Sequence, residues 1–233
     1  MRKIYYTLTA LTLSLTSCND LLDRMPDNRL VIDSPEKVQQ ALTNAYPQIA
    51  TTLINEFSSD NIDDIGADNI YSNFLTRETA YWQPILEYNN VDGLQNIWDY
   101  HYKAIGQANA ALDAIETTLH NDASLNPAKG EALVARAYAH FCLVNLFSQA
   151  YNPNTSSSDL GIPYITRPEE EMNPQRQRGT VAQVYQQIAA DLEKGLPLID
   201  DSYYQMPKYH FNKKAAYAFA ARFYLYYQQW QKA

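Results

Sequence analysis

The chain has 233 residues, 46% hydrophobic and 19% charged, with 7 glycines, a composition that excludes a disordered, collagen-like or polytopic membrane protein. Eighteen Lys and Arg against 26 Asp and Glu leave a net charge of −8, which argues against a nucleic-acid binder that tracks phosphates. Two cysteines exclude a small disulfide scaffold, and the outlier is tyrosine, at 19 residues, whose apolar ring and hydroxyl suit core edges and wet recognition surfaces.

Met1-Arg2-Lys3 is a basic head, and residues 4–15 form an apolar run too short to cross a bilayer, which needs roughly 20 residues. Together they predict a secretory signal peptide over residues 1–17. The run ends Leu15-Thr16-Ser17-Cys18, which resembles a bacterial lipobox, so Cys18 is expected to be acylated and to become the first residue. Ordinary cleavage near Ser17 is the alternative. Two or more acyl chains hold a protein stably on a bilayer, and residues 18–33 would then be a polar, lipidated leader.

The body, residues 34–233, reads as capped amphipathic helices. Ser34-Pro35 opens the first, expected over 34–53 with Val38, Leu42, Ala45 and Ile49 on one face and Pro47 able to kink or shorten it. Asp92 and Gln95 have capping-box spacing ahead of a long helix over 93–120, marked by Trp98, Tyr102, Ile105, Ala108, Leu112, Ile115 and Leu119. Asn126-Pro127 opens a third helix to Phe147, apolar over so wide an arc that burial on two sides is expected. Cys142 lies within it as a core thiol. Thr180 and Gln183 make another capping box, and Asn212 caps a last helix from Lys213 to about Gln229. Five helices and almost no strand pattern predict an all-α fold.

Tyr217, Ala220, Ala221 and Tyr224 fall at tetratricopeptide spacing, with Trp230 and Ala233 where such a repeat turns and begins its second helix. Ala220 and Ala221 are small enough to admit a close partner helix. Two long connections, residues 56–91 and 150–179, are polar and aromatic, and irregular stretches of that length are usually functional or mobile.

The order of these features resembles the SusD/RagB family of surface lipoproteins. The resemblance is carried by Cys18-Asn19-Asp20-Leu21-Leu22-Asp23 with Pro26, by Trp98, Tyr102, Ile105, Ala108 and Asn109, and by Glu131, Ala135, Arg136, Ala137, Tyr138, Phe141 and Phe147. Gly161-Ile162-Pro163, then Arg178 to Leu192 with Tyr185 and Asp191, and finally Lys214-Ala215-Ala216, Ala220-Ala221-Arg222 and Tyr224-Leu225 continue it. It implies tetratricopeptide-like helical repeats with long irregular ligand loops. Members usually carry a further C-terminal part, so these residues are expected to be an N-terminal portion, cut inside a repeat.

The resemblance also implies ligand capture without catalysis: a cell-surface, outer-membrane lipoprotein that binds oligosaccharide, or in some branches peptide, for a TonB-dependent (SusC-like) transporter. The family's N-terminal ligand loop would fall within residues 60–73. Tyr71 is then the stacking surface, Asp68 and Asn69 its hydrogen-bond partners, and Tyr81 and Trp82 secondary candidates. The competing reading of Trp82 is an anchor holding the loop to the core. The competing reading of the whole chain is a scaffold that holds protein partners and binds no small ligand.

Asp60, Asp63, Asp64 and Asp68 do not make a calcium loop: with Gly66 as the required glycine, ligand positions fall on Ile65 and Ser72. His101, His120, His140 and His210 lack metal-site spacing and are expected at the core edge or surface. Glu169-Glu170-Glu171 reads as a solvated charge run. Neither catalytic residues nor a metal or cofactor is expected.

Overall fold

Helix α1, Pro35–Thr43, starts where the sequence says it should, with the Ser34 hydroxyl accepting the Lys37 backbone N–H and Pro35 in the first turn. It stops ten residues earlier than expected, because Pro47 lacks an amide hydrogen and its ring would strike the carbonyl one turn back. The computed structural model describes residues 31–66, 73–86, 90–169 and 176–233. Residues 32–233 form one unit. Past α1 the chain still buries Ala45 and Ile49, then forms α2, Thr52–Phe57.

A helix absent from the expectation, α3, Phe74–Ala80, lies inside the first long connection. Asn73 caps it in a reciprocal box with Thr76. Helix α4, Leu94–Thr117, starts on Gly93 rather than on the expected Asp92–Gln95 box. The Gln95 amide reaches forward to the Asp99 carboxylate at 2.9 Å instead, an i,i+4 bond open to any exposed helical pair. His120 and Asn121, both left-handed at φ 51° and 55°, reverse the chain into α5, Asn126–Phe147. Asn126 is the first residue of α5, not its side-chain cap.

Helix α6, Val181–Gly195, carries the expected Thr180–Gln183 box, with bonds of 3.2 and 2.9 Å. Helix α7, Lys213–Tyr226, is capped by Asn212. The described residues contain no strand, only a single bridge between Leu160 and Thr180. The protein is all-α, with tetratricopeptide-like helix packing.

Helix α5 is central, packed against α4 on one side and α6 on the other, with α1 and α7 completing the layer. That is why it is buried almost all round, as its wide apolar arc implied. A close helix approach lies where Gly130 of α5 meets Gly195 of α6. A Cβ on Gly130 would stand 2.8 Å from the Gly195 carbonyl, and one on Gly195 would stand 2.9 Å from the Gly130 carbonyl.

Polar contacts strap the second connection over this core. Arg136 on α5 binds Asp191 on α6, and also reaches Asn109 on α4 and the Thr166 carbonyl. Tyr164 donates to Asp191 at 2.6 Å, and Tyr102 to the Pro163 carbonyl at 2.8 Å. Tyrosine abundance therefore serves mainly the core edge, where a ring packs and a hydroxyl ends on a fixed acceptor. A second clamp centres on buried Glu131, which accepts from Tyr46 and faces His210 at 2.8 Å.

Two histidines depart from expectation, being fully inside the core. His140 sits between the Arg136 carbonyl at 2.9 Å and the Ile165 amide at 3.1 Å, its ring stacked on Tyr164 at 3.8 Å. Burial lowers its pKa to about 3. His101, also buried and also lowered by burial, bonds the Ile97 carbonyl. A backbone carbonyl one turn back accepts from each ring, and the distant Ile165 amide donates to the other nitrogen of His140, a partner that sequence spacing does not reveal. Cys142 behaves as an inert thiol, pushed up to about 11 by burial.

Candidate functional site

A small satellite core of Ile49, Ile54, Leu75 and Ile97 joins α2 and α3 to the start of α4. It leaves the outer side of the first long connection rich in exposed apolar residues, among them Phe74, Tyr81, Trp82 and Leu86. Helix α3 ends in a Schellman turn: the Gln83 N–H bonds the Glu78 carbonyl at 2.8 Å, and the Trp82 N–H bonds the Thr79 carbonyl at 3.1 Å. The left-handed residue of that turn, usually glycine, is Trp82 at φ 53°.

A bulky residue in this conformation costs roughly 1–2 kcal/mol and is uncommon without a reason. Packing is not the reason, for Trp82 is 79% exposed. This corrects the reading of Trp82 as a core anchor. The satellite core is made of aliphatic side chains, and after the turn it is Ile85, not Trp82, that packs against it.

Tyr81, just before it, is 56% exposed, and its hydroxyl donates to the Asp64 carboxylate. That bond holds the Asp64 carboxyl below its ordinary range. The other Asp64 oxygen accepts the Gly66 N–H at 2.8 Å, and Gly66, at φ 73°, makes the turn. The tyrosine ring is thereby fixed from across the connection. Arg77 stacks over the Phe74 ring at 5.0 Å and enters no salt bridge among the described residues. Tyr81, Asp64, Gly66 and Arg77 line a cleft of about 430 Å³ with Phe57, Ile62, Asp63 and Thr76, while Phe74 and Trp82 stand exposed outside its lining.

Of the sequence-derived candidates, Tyr81 and Trp82 are adjacent and exposed in this region. Asp68, Asn69, Tyr71 and the acylation candidate Cys18 lie outside the described residues. Sequence reasoning misses Arg77 and Phe74 as site partners and considers Asp64 only as a calcium ligand. The unforeseen α3 is what gathers all three. Among the described residues no three carboxylate, histidine or cysteine side chains converge as a metal site. A larger cleft, about 650 Å³, lies between α4, α5 and α6, but its floor is the Arg136–Asp191 pair, whose charges already satisfy each other.

A family model described as "SusD-like_3: Starch-binding associating with outer membrane" matches residues 20–225. The chain belongs to this SusD-like family. Its fold is similar to a SusD superfamily protein of Bacteroides thetaiotaomicron, with 24% identity, TM-score 0.65, and coverage of 84% of this chain and 43% of that one. A SusD superfamily protein of Bacteroides fragilis is similar at 23% identity and TM-score 0.69, covering 87% and 48%. A "Laminarin binding SusD-like protein" is similar at 19% identity and TM-score 0.63, covering 86% and 42%. The chain thus spans under half the length of these solved relatives. No curated protein is significantly similar to it. Among the described residues, no helix is long and apolar enough to cross a membrane.

Proposed function

We propose that this protein is a lipid-anchored protein of the outer cell surface that captures oligosaccharide and delivers it to a TonB-dependent, SusC-like transporter. The observation that carries the reading is Trp82, an exposed indole kept in a conformation where glycine would be cheaper, next to a tyrosine whose ring is fixed by Asp64. Sugar rings present apolar C–H faces and hydroxyl edges. Exposed aromatic rings match the faces, while carboxylates and a guanidinium that enters no salt bridge among the described residues match the hydroxyls. Tyr81 and Trp82 supply the first kind of contact, and Asp63 and Arg77 the second.

The family description, starch binding in association with the outer membrane, supports both ligand class and location. Asp68, Asn69 and Tyr71 remain part of the proposal as further contacts, and Cys18 as the acylated residue. The role is capture rather than catalysis.

Titration calorimetry with maltohexaose and laminarihexaose tests the reading. Binding of at least one glucan, weakened tenfold or more by Trp82→Ala with the helical circular-dichroism spectrum unchanged, is expected. Wild-type affinity in the variant, or no binding of any saccharide by the wild type, sinks it.

A further inference from the structure

A second cleft, about 590 Å³, opens between α2, the C-terminal half of α5 and the end of α7, and shares α2 with the Tyr81 cleft, whose Phe57 follows Glu56 of this one. Its aromatic wall is Phe141 and Tyr226, whose rings meet edge to face at 5.2 Å. The Arg222 guanidinium stands 5.8 Å from the centre of each ring. A cation placed this way is held by the rings without its N–H donors being consumed. Arg222 enters no salt bridge among the described residues, although Glu56 lines the same cleft. Two opposite charges therefore share one cavity and do not pair with each other.

The amides point the same way. Asn55 spends its amino group on the Thr51 hydroxyl at 3.1 Å, and no bond to its carbonyl oxygen is present among the described residues. Tyr226 is 47% exposed, so its ring is available at the cleft wall. The cavity falls within the range of small-molecule sites, about 300–1,000 Å³. An anion would stand against Glu56, and an acyl chain would make no use of either charge. A neutral sugar ring satisfies all of them, with vicinal hydroxyls donating to Glu56 and Asn55, accepting from Arg222, and C–H groups against Tyr226.

We propose that this cleft is a second saccharide-binding site, taking one or two neutral hexose units through Arg222, Glu56, Asn55 and Tyr226. It rests on the saccharide reading above, deepening it from a single contact surface to two, with α2 bordering both. Two sites on one chain hold a long glucan at two points, which raises avidity without any new contact at the first.

The experiment is calorimetry and saturation-transfer NMR on the full chain with maltohexaose and laminarihexaose, comparing wild type, Trp82→Ala, Tyr226→Ala, Arg222→Gln and the Trp82→Ala/Tyr226→Ala double variant. Tyr226 and Arg222 lie at the protein surface, so both variants are expected to fold. The expected result is two binding events per wild-type chain, one in each of the three single variants, and none in the double variant. Unchanged stoichiometry in both Tyr226→Ala and Arg222→Gln overturns the second site while leaving the Trp82 surface standing. Loss of all binding in Trp82→Ala alone also overturns it, since an independent site would persist. Absence of binding in the wild type overturns both readings together.

Discussion

Arg136 on α5 and Asp191 on α6 meet through two parallel hydrogen bonds, Nε to Oδ2 and Nη2 to Oδ1, each 2.7 Å long. Their side chains are 8% and 7% exposed, and Asn109, Tyr164 and the Thr166 carbonyl complete the cluster. Both residues belong to the sequence pattern shared with the SusD/RagB family. Their structural role is to clamp the connection after α5 onto the helical layer.

Removing one partner of such a buried pair leaves a desolvated charge behind, which typically costs 3–5 kcal/mol. Asp191→Ala is therefore expected to lower unfolding stability by about 3 kcal/mol or more. The double variant Arg136→Met/Asp191→Leu, which leaves no orphaned charge, is expected to be less destabilised than the single one. Urea melts of the three proteins check this, and a single-variant cost under about 1 kcal/mol would refute the clamp.

Helical glycines usually gain up to about 1 kcal/mol on replacement by alanine. A Cβ added to Gly106 in α4 would meet nothing within 4 Å, so Gly106→Ala is expected to stabilise. Gly130→Ala is expected to destabilise by about 1–3 kcal/mol, because its Cβ would press on the Gly195 carbonyl, which is backbone and cannot swing aside. Opposite signs of the two melting-temperature shifts are the readout. Like signs would mean that the α5–α6 crossing is looser than its geometry.

Trp82→Gly separates stability from function. Glycine relieves the left-handed penalty, so stability is expected to rise by about 1 kcal/mol. Saccharide binding at that surface is expected to vanish in the same protein. A variant that loses stability would show the indole to be a packing residue after all.

His140 ties stability to pH. Its folded pKa, about 3, lies below the unfolded value of about 6.5, so the unfolded chain binds the proton first. Stability is thus fully present above about pH 6.5 and is lost as the pH falls from there toward 3, by roughly 2 kcal/mol at pH 5 from this residue. His101 acts in the same direction. The slope of unfolding free energy against pH between 7 and 5 is expected to lessen by close to one proton in His140→Asn. An unchanged slope would show that folding leaves the His140 pKa where it is in the unfolded chain.

Features settled within one turn of helix or one stripe of side chains were legible in the chain before it folded. Ser34, Thr180 with Gln183, and Asn212 cap their helices as expected, because a cap needs only a partner two or three residues away. Burial of Val38, Leu42, Ala45 and Ile49 followed from periodicity even though α1 breaks between them, since a face can be continued by an irregular chain. The Asp92–Gln95 spacing failed because the Asp92 N–H donates to the Asn90 side chain at 3.0 Å and the helix starts on Gly93. Helix α3 went unforeseen although its Asn73–Thr76 box is equally local, because it is short and lies in a polar stretch without an apolar stripe. Other features waited on the packing of distant segments. Arg136 and Asp191 are 55 positions apart, Gly130 and Gly195 are 65 apart, and the satellite core beside the exposed Trp82 draws Ile49, Ile54, Leu75 and Ile97 from four separate segments. Such meetings depend on how helices cross, and the energy of a crossing is a sum over long-range contacts that no local window contains.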